Sequence, residues 1–346
     1  MKEIAKLYSN IDQAALHKEQ AINEMLQRKG FYSKSHGFPL ASLQLELTSH
    51  CNMLCKHCYN QSGDTAADLM TPEKWISFAK YLVNKGGVFE CIISGGEPLI
   101  LGKDLFRIMD IFHNDGSLFM FLTNGYLLNE NNVEVLKKYK YHWIQISIDG
   151  VTAEYHDSFR QKSGSWEHAV RGAQLVSHNG LPLKIAHCVT PENILDIDEM
   201  CGYALSLRAT CITIGELCLS GRTAKHMNLL LSESERKHMH EKICENAQRY
   251  YPHMKVKSSN SIRKGLERHL QHPHASAVIR PNGDIRIDAM APFVIGNILS
   301  DDFSALWTER ASNCWHDPRV LEYIKSFSAD DRNYHTINYI TEDIHL

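Results

Sequence analysis

The chain reads as an α/β protein: a partial (β/α)6 TIM-like barrel, with N-terminal helices and a small C-terminal α+β domain containing a β-hairpin. Three observations predict it. Six short β-rich runs recur with enough chain between them for a helix. Nearly every run ends in polar or glycine-rich sequence. Beyond the sixth run the pattern changes to two alternating strands around Asn282-Gly283.

Residues 1–38 carry Ile4, Leu7, Ile11, Ala15, Ile22 and Leu26 at mostly helical spacing. That favours one amphipathic helix or two packed on the barrel over a partner-binding arm. The runs then follow: "SLQLELT" from Ser42, "FECIIS" from Phe89, "LFMFLTN" from Leu118, "HWIQISID" from His142, "LKIAHCVT" from Leu183 and "CITIGELC" from Cys211. The first five each precede a helical pattern. The clearest starts at Thr71, a good N-cap, with Pro72 at the first helical position. Strands alternating with helices imply parallel pairing through crossovers, and the loops after the strands then face one cavity. A helical stretch near 232–250 precedes the hairpin "SAVIRPNGDIRID". The expected domains are 1–38 (helical), 39–225 (barrel) and 226–346 (C-terminal).

Composition narrows the function. Of the 346 residues, 43% are hydrophobic and 22% charged, as in an ordinary globular protein. A formal net charge of −3 supplies no basic field for nucleic acid or an anionic membrane, so neither is an expected partner. The opening "MKEIAKLYSNIDQ" has no apolar core of a signal peptide, and no run reaches the length of a spanning helix. A cytoplasmic protein is expected, in which ten cysteines are free thiols, ligands or catalytic groups rather than a disulfide framework.

The stretch "SHCNMLCKHCYN" places Cys51, Cys55 and Cys58 in a C-x3-C-x2-C arrangement. A structural zinc site closes with four N or S ligands and would need His50 or His57 as the fourth, with a spacing that fits poorly. A redox pair, Cys55 and Cys58, leaves Cys51 unexplained. Three thiolates on a [4Fe-4S] cluster leave one iron open for a ligand that is not protein.

With "SGGEP" some forty residues later, "CNMLCKHCYN" resembles the radical S-adenosylmethionine (SAM) superfamily. The resemblance implies that SAM chelates the open iron and is cleaved to a 5'-deoxyadenosyl radical, which abstracts a substrate hydrogen. It implies SAM contacts for Gly95, Gly96, Glu97 and Pro98 of "GGEP", the two glycines letting backbone approach closely and Glu97 supplying negative character toward the SAM amino group, with a plain strand-to-helix turn as the alternative. Ser147 and Asp149, alternate residues of the fourth strand, are placed toward the ribose hydroxyls; Asp149 could instead cap a turn. "DGVTAEYHDSFR" resembles the SPASM/twitch branch, with Arg160 on the SAM carboxylate, a solvated surface arginine being the alternative. Thr190 and Asn193 fall near the adenosine end or form a helix N-cap. His57 falls beside the adenine, with a zinc ligand or a solvated side chain as alternatives.

The resemblance spans about 42–225 well, including "LSGRT", and continues weakly through "GNILSDDFSALW". There the sequence departs from the branch pattern: only Cys244 and Cys314 lie beyond the barrel, too few for a four-thiolate auxiliary site. One [4Fe-4S] cluster and SAM are the expected cofactors. "HLQHPH" offers His269, His272 and His274, better read as a solvated loop than a metal patch. Without an auxiliary electron acceptor, redox-neutral outcomes such as epimerisation or rearrangement gain weight beside cross-linking. Cys218 is the first candidate hydrogen donor and Cys188 the second, against the commoner fate of cysteine as core filler. The branch implies a peptide substrate, although the N-terminal segment is too short for a separate leader-recognition domain. The alternatives are radical modification of a sugar, nucleoside or other small metabolite, and a non-catalytic Fe-S protein. A reductase, flavodoxin or ferredoxin is the implied electron donor.

Overall fold

The computed structural model describes residues 40–63, 68–259, 262–327 and 343–346; the helical segment expected over 1–38 lies outside them. The barrel half runs β1 (Leu40–Glu46), α1 (Pro72–Lys85), β2 (Val88–Ser94), α2 (Lys103–Asn114), β3 (Leu118–Thr123), α3 (Glu130–Leu136) and β4 (Tyr141–Ser147). It continues with α4 (Ala153–Arg160), α5 (Ser165–His178), β5 (Leu183–Val189), α6 (Ile197–Ser206) and β6 (Cys211–Glu216). All six expected strands are present. Thr71 caps α1 as expected, its side chain accepting from the Lys74 backbone N–H, with Pro72 at the start.

Two features extend that plan. After α7 (Glu233–Tyr250), a short strand β7 (Lys255–Ser258) pairs parallel with β6. Four residues, two of them lysines, carry too little pattern to announce a strand. After α8 (Ile262–Gln271) come β8 (Ser276–Ile279) and β9 (Asp284–Asp288), the antiparallel hairpin expected around Asn282-Gly283. Gly283 has φ +91°, the left-handed turn conformation that glycine permits. The chain ends with β10 (Ala291–Asn297), α9 (Phe303–Glu309), α10 (Ala311–Cys314), α11 (Pro318–Ser326) and β11 (Ile344–His345).

One sheet joins both halves, in the order β11, β10, β9, β8, β1, β2, β3, β4, β5, β6, β7. β8 pairs parallel with β1, so the hairpin sits against the strand that leads into the cysteine loop, while α7 and β7 stay at the opposite edge beside β6.

The strands alternate. Leu43 and Leu45, Cys91 and Ile93, Ile144 and Ile146, and Ile212 and Ile214 are fully buried under the helices. Trp75 of α1 is wedged there, its indole N–H donating to the Leu47 carbonyl at 3.0 Å. The opposite residues, Gln44, Ile92, Trp143, Gln145, Ser147 and Thr213, are only partly buried. Parallel sheets are usually apolar on both faces. Gln44, Gln145, Ser147 and Thr213 among these positions therefore mark a concave face that helices do not fill.

Candidate functional site

Leu47 to Gly63, the segment leaving β1, carries the three cysteines and is held from three sides. From the β2 side, Gly96 N–H donates to the Thr48 carbonyl at 2.6 Å and Glu97 N–H to the His50 carbonyl at 2.9 Å. The approach is close enough that a Cβ on Gly96 would fall 2.1 Å from the His50 oxygen. Gly95 adds φ +143°, in the region that favours glycine. From the β6 side, Arg222 donates from its backbone to the Cys58 carbonyl (3.0 Å), from Nε to the Cys55 carbonyl (2.8 Å) and from Nη1 to the Ser62 carbonyl (2.8 Å). Gly221 lies so near that a Cβ would meet the Cys58 oxygen at 2.3 Å. The third support is Asp68, which accepts from Ser49 N–H at 2.9 Å and from the hydroxyls of Thr48 and Ser49.

Glu97 is a staple. Its fully buried carboxylate accepts from Leu99 N–H (3.1 Å), the Thr123 hydroxyl (2.8 Å) and Asn124 N–H (2.8 Å), tying the turn after β2 to the end of β3. Burial pushes its pKa up to about 7 against those three donors. The acidic oxygens that the sequence suggested for the cofactor side are thus occupied in fixing the loop. Pro98, also buried, opens the short helical turn behind it.

Two sulfurs have N–H donors. Asn124 Nδ2 lies 3.8 Å from Cys51 Sγ and 2.8 Å from Asn52 Oδ1. Arg160 Nη1 lies 3.8 Å from Cys55 Sγ. Burial pushes the Cys51 thiol up to about 12, with Glu97 and the two neighbouring thiols adding to it. Burial likewise raises Cys55, opposed by Arg160.

Asp149 and Arg160 are brought together with each other. Arg160 donates from Nε at 2.7 Å and Nη2 at 2.6 Å to one carboxylate oxygen, and the second accepts from Cys188 N–H at 2.9 Å. Arg160 is therefore no solvated surface arginine: 8% of it is exposed, and none of Asp149 is. Burial works against both charges, but the Arg160 guanidinium holds Asp149 well below the usual carboxylate range, and Asp149 with Cys55 holds Arg160 above its own. Ser147 lies on the inner face, one pleat below Asp149.

Thr190 and Asn193 are both buried and staple strand ends. Asn193 Oδ1 accepts from Thr190 N–H, and Nδ2 donates to the carbonyls of Asp149 (2.9 Å) and Cys188 (3.0 Å). Asn193 stands at an N-cap position without a side-chain capping bond. His57 stacks flat on Phe159, centroids 4.2 Å apart, and burial pulls its pKa down to about 3, keeping the ring neutral.

Cys188 and Cys218 are half-buried. Cys188 packs among Phe159, Leu217 and Leu229, within electrostatic reach of Asp149, Arg160 and Cys55. Cys218 lies at the exit of β6, where burial and then Glu216 push its thiol up to about 12, and it influences Tyr323 of α11. The histidine-rich stretch is not a solvated loop throughout. His269 is buried on α8, stacked on Trp315 and 3.1 Å from Asp288 Oδ2, because that helix face packs under the C-terminal helices. His274 binds the Trp307 carbonyl at 3.1 Å, and His272 is exposed.

Sequence reading missed Asn124, Arg222 and a buried charge group around Glu46. Glu46 accepts from Asn60 Nδ2 at 3.0 Å and faces Arg280 Nε at 3.6 Å; Arg280 and Arg286 both pair with Asp343, at 3.0 and 3.3 Å. This group joins the cysteine loop, the hairpin and the C-terminal residues. The signal available was a glutamate in an otherwise strand-like run.

Residues 45–204 match the model of the Radical SAM superfamily. The chain is 29% identical over 282 residues to the antilisterial bacteriocin subtilosin biosynthesis protein AlbA of Bacillus subtilis, covering 80% of this chain and 61% of that one. It is 33% identical over 183 residues to the mycofactocin maturase MftC of Mycolicibacterium smegmatis, covering 53% of this chain and 46% of that one. The chain thus spans about half to three fifths of the length of these relatives. The crystal structure of Streptococcus suis SuiB bound to precursor peptide SuiA shares the fold, with TM-score 0.63 and 15% identity, covering 83% of this chain and 69% of that one.

The residues present fit a [4Fe-4S] cluster. Among the described residues no three His, Cys, Asp or Glu side chains converge as one metal ion requires. Thiolates of a cubane each take a different iron and need not converge. The amide and guanidinium N–H groups beside Cys51 and Cys55 are the donors that cluster-bound sulfur calls for.

Proposed function

We propose that this chain, which carries a radical SAM domain over residues 45–204, reductively cleaves SAM at a [4Fe-4S] cluster and modifies a ribosomally made peptide by hydrogen abstraction. The observation that carries the reading is the triply supported loop of Cys51, Cys55 and Cys58 at the mouth of a partly open barrel. When bound, the cluster and SAM supply one-electron reduction and hydrogen-atom abstraction. The chain's own residues do the positioning. Glu97 and Gly96 set the turn after β2, Arg222 clamps the loop carbonyls, and Asn124 and Arg160 face the sulfurs.

Ser147, Thr190 and Asn193, with Arg160 and Asp149, form the wall assigned to SAM, and His57 on Phe159 borders it. Cys218 is the proposed hydrogen donor, with Cys188 second. The peptide class rests on the precursor peptide in the SuiB complex and on the biosynthetic relatives. An external reductase, flavodoxin or ferredoxin supplies the electron, and the protein acts in the cytoplasm. Among the described residues no helix is long and apolar enough to cross a membrane.

The deciding experiment is anaerobic reconstitution with iron and sulfide, followed by mass spectrometry for 5'-deoxyadenosine with SAM and reductant, beside Cys58→Ala. Formation by wild type alone is expected. If iron binds and neither protein forms it, the catalytic reading is lost and a non-catalytic Fe-S protein takes its place.

A further inference from the structure

The inner face of the sheet carries an ammonium group that nothing within the described fold neutralises. Lys184 of β5 is 7% exposed, and its Nζ stands 4.6 Å from the ring centroid of Trp143 on β4. Lys257 of β7 approaches the same ring, at 5.3 Å. Among the described residues no carboxylate pairs with either lysine. The groups that act electrostatically on Lys184 are Lys257, which repels it, and the Cys211 thiol. Burial and then Lys257 pull the Lys184 pKa down to about 8.

An ammonium taken from water is strongly disfavoured unless an anion compensates it. A cation–π contact returns only about 0.5–2 kcal/mol, and a second lysine on the same indole adds repulsion. Nothing in packing calls for a lysine here, since the inner face is not filled by helices. Register puts Gln145 directly beside Lys184, and Ser147 beside Ala186, one layer higher. Lys257 shares the level of Thr213, next to Ala186. Lys184 therefore lies about 6.6 Å along the strands below the Ser147 layer, while Lys257 is level with that layer, exposed on the edge strand β7, and reaches back over Trp143. The Trp143 indole N–H, buried without a partner, and the Gln145 amide bring neutral donors.

We propose that Lys184 and Lys257, over Trp143, form a subsite for a carboxylate of the substrate peptide at the β7 edge of the inner face, while the residue to be modified faces the mouth. This rests on the peptide reading above. The carboxylate comes from an acidic side chain or from a free C-terminus. A phosphate-bearing substrate is disfavoured, because the site has no arginine fork and no array of backbone N–H groups.

The test is binding of three short peptides to the full chain by calorimetry: a blocked peptide with a central glutamate, the same peptide with glutamine, and an alanine peptide with a free C-terminal carboxylate. At least one acid-bearing peptide should bind roughly tenfold or more tighter than the glutamine peptide. That preference should vanish in Lys184→Met and return in part in Lys184→Arg. Whichever acid peptide wins identifies the source of the carboxylate. Equal binding of all three to wild type, absence of saturable binding by both acid peptides, or a preference that survives Lys184→Met overturns the subsite. Binding of inorganic phosphate without either acid peptide overturns it in favour of a phosphorylated substrate. If Lys184→Met does not fold, the wild-type comparison and Lys184→Arg still decide. Formation of 5'-deoxyadenosine without peptide, on the same preparation, separates the outcomes: cleavage without acid preference sinks only the subsite, and acid preference without cleavage sinks only the radical reading.

Discussion

The ends of β1 to β3 and the inner face of β4 to β7 are built on opposite terms. Around β1 to β3, Glu97 meets three donors, Asp68 meets three, and Arg222 reaches two loop carbonyls from its side chain. The buried polar atoms left over there are Asn52 Nδ2, His57 Nδ1, Asn60 Oδ1 and Arg222 Nη2, all in or against the cysteine loop. Along β4 to β7, Trp143 Nε1 and Thr213 Oγ1 are buried without partners, and Lys184 has no counter-charge within the described fold. Buried polar groups are ordinarily satisfied. Charged groups whose partners are all within the fold hold a loop in one place and suit a cofactor; a buried ammonium without a counter-charge has demand left for a ligand to meet.

The contrast breaks most severely at Asp149, which stands between the two regions. Asp149→Asn leaves the Arg160 guanidinium buried without its counter-charge and should cost about 3–5 kcal/mol in urea unfolding. Replacing both, as Asp149→Asn with Arg160→Met, should cost less than the sum of the two single changes. A strictly additive pair would mean that the two groups do not act together.

Arg222→Ala comes next. Losing two charge-assisted bonds to the loop carbonyls should cost about 2–4 kcal/mol, and iron content after reconstitution should fall with it. Unchanged iron content would show that the β2 side and Asp68 suffice to fix the loop.

A pH effect sharpens the account of Glu97. Because burial raises its pKa from 4.5 to about 7, the folded state holds a proton that the unfolded chain has lost between those values. Stability from this group is therefore full below about pH 4.5 and is lost as pH rises through 7. Wild type should lose at most about 3 kcal/mol relative to Glu97→Gln across that window. Parallel pH profiles for the two unfolding curves would remove the claim.

The smallest structural effect belongs to Cys218→Ala, about 1 kcal/mol for a half-buried thiol. The proposed donor role predicts a larger, chemical consequence: loss or scrambling of product while SAM is still cleaved. Full, unchanged product would end its role as hydrogen donor.

Much of the fold was legible because its signals are local. Period-two alternation, the Thr71-Pro72 start of α1 and the Asn282-Gly283 turn each lie within a few residues of one another. β7 was missed because "KVKS" is too short to carry a period, and its place was settled by pairing with β6. For the site, the sequence marked Glu97, Asp149 and Arg160 without revealing how their bonding capacity is already used. Asn124 and Arg222 stood inside "LFMFLTN" and "LSGRT" but received no role, because what they bond to lies 73 and 167 residues away along the chain.

The sequence by itself determined the order of strands and helices, the three thiols on one loop, and the glycines that let the next loop approach. These follow from spacing along the chain and from the conformations that particular side chains permit. The tertiary structure decided which charges meet. Arg160 reaches Cys55 across 105 residues, Arg222 reaches it across 167, and Asn124 reaches Cys51 across 73. Lys184 and Lys257 likewise share Trp143 only because β4, β5, β6 and β7 stand in register. Electrostatics and hydrogen bonding act through space over a few ångströms, and only the assembled sheet brings those groups within that range.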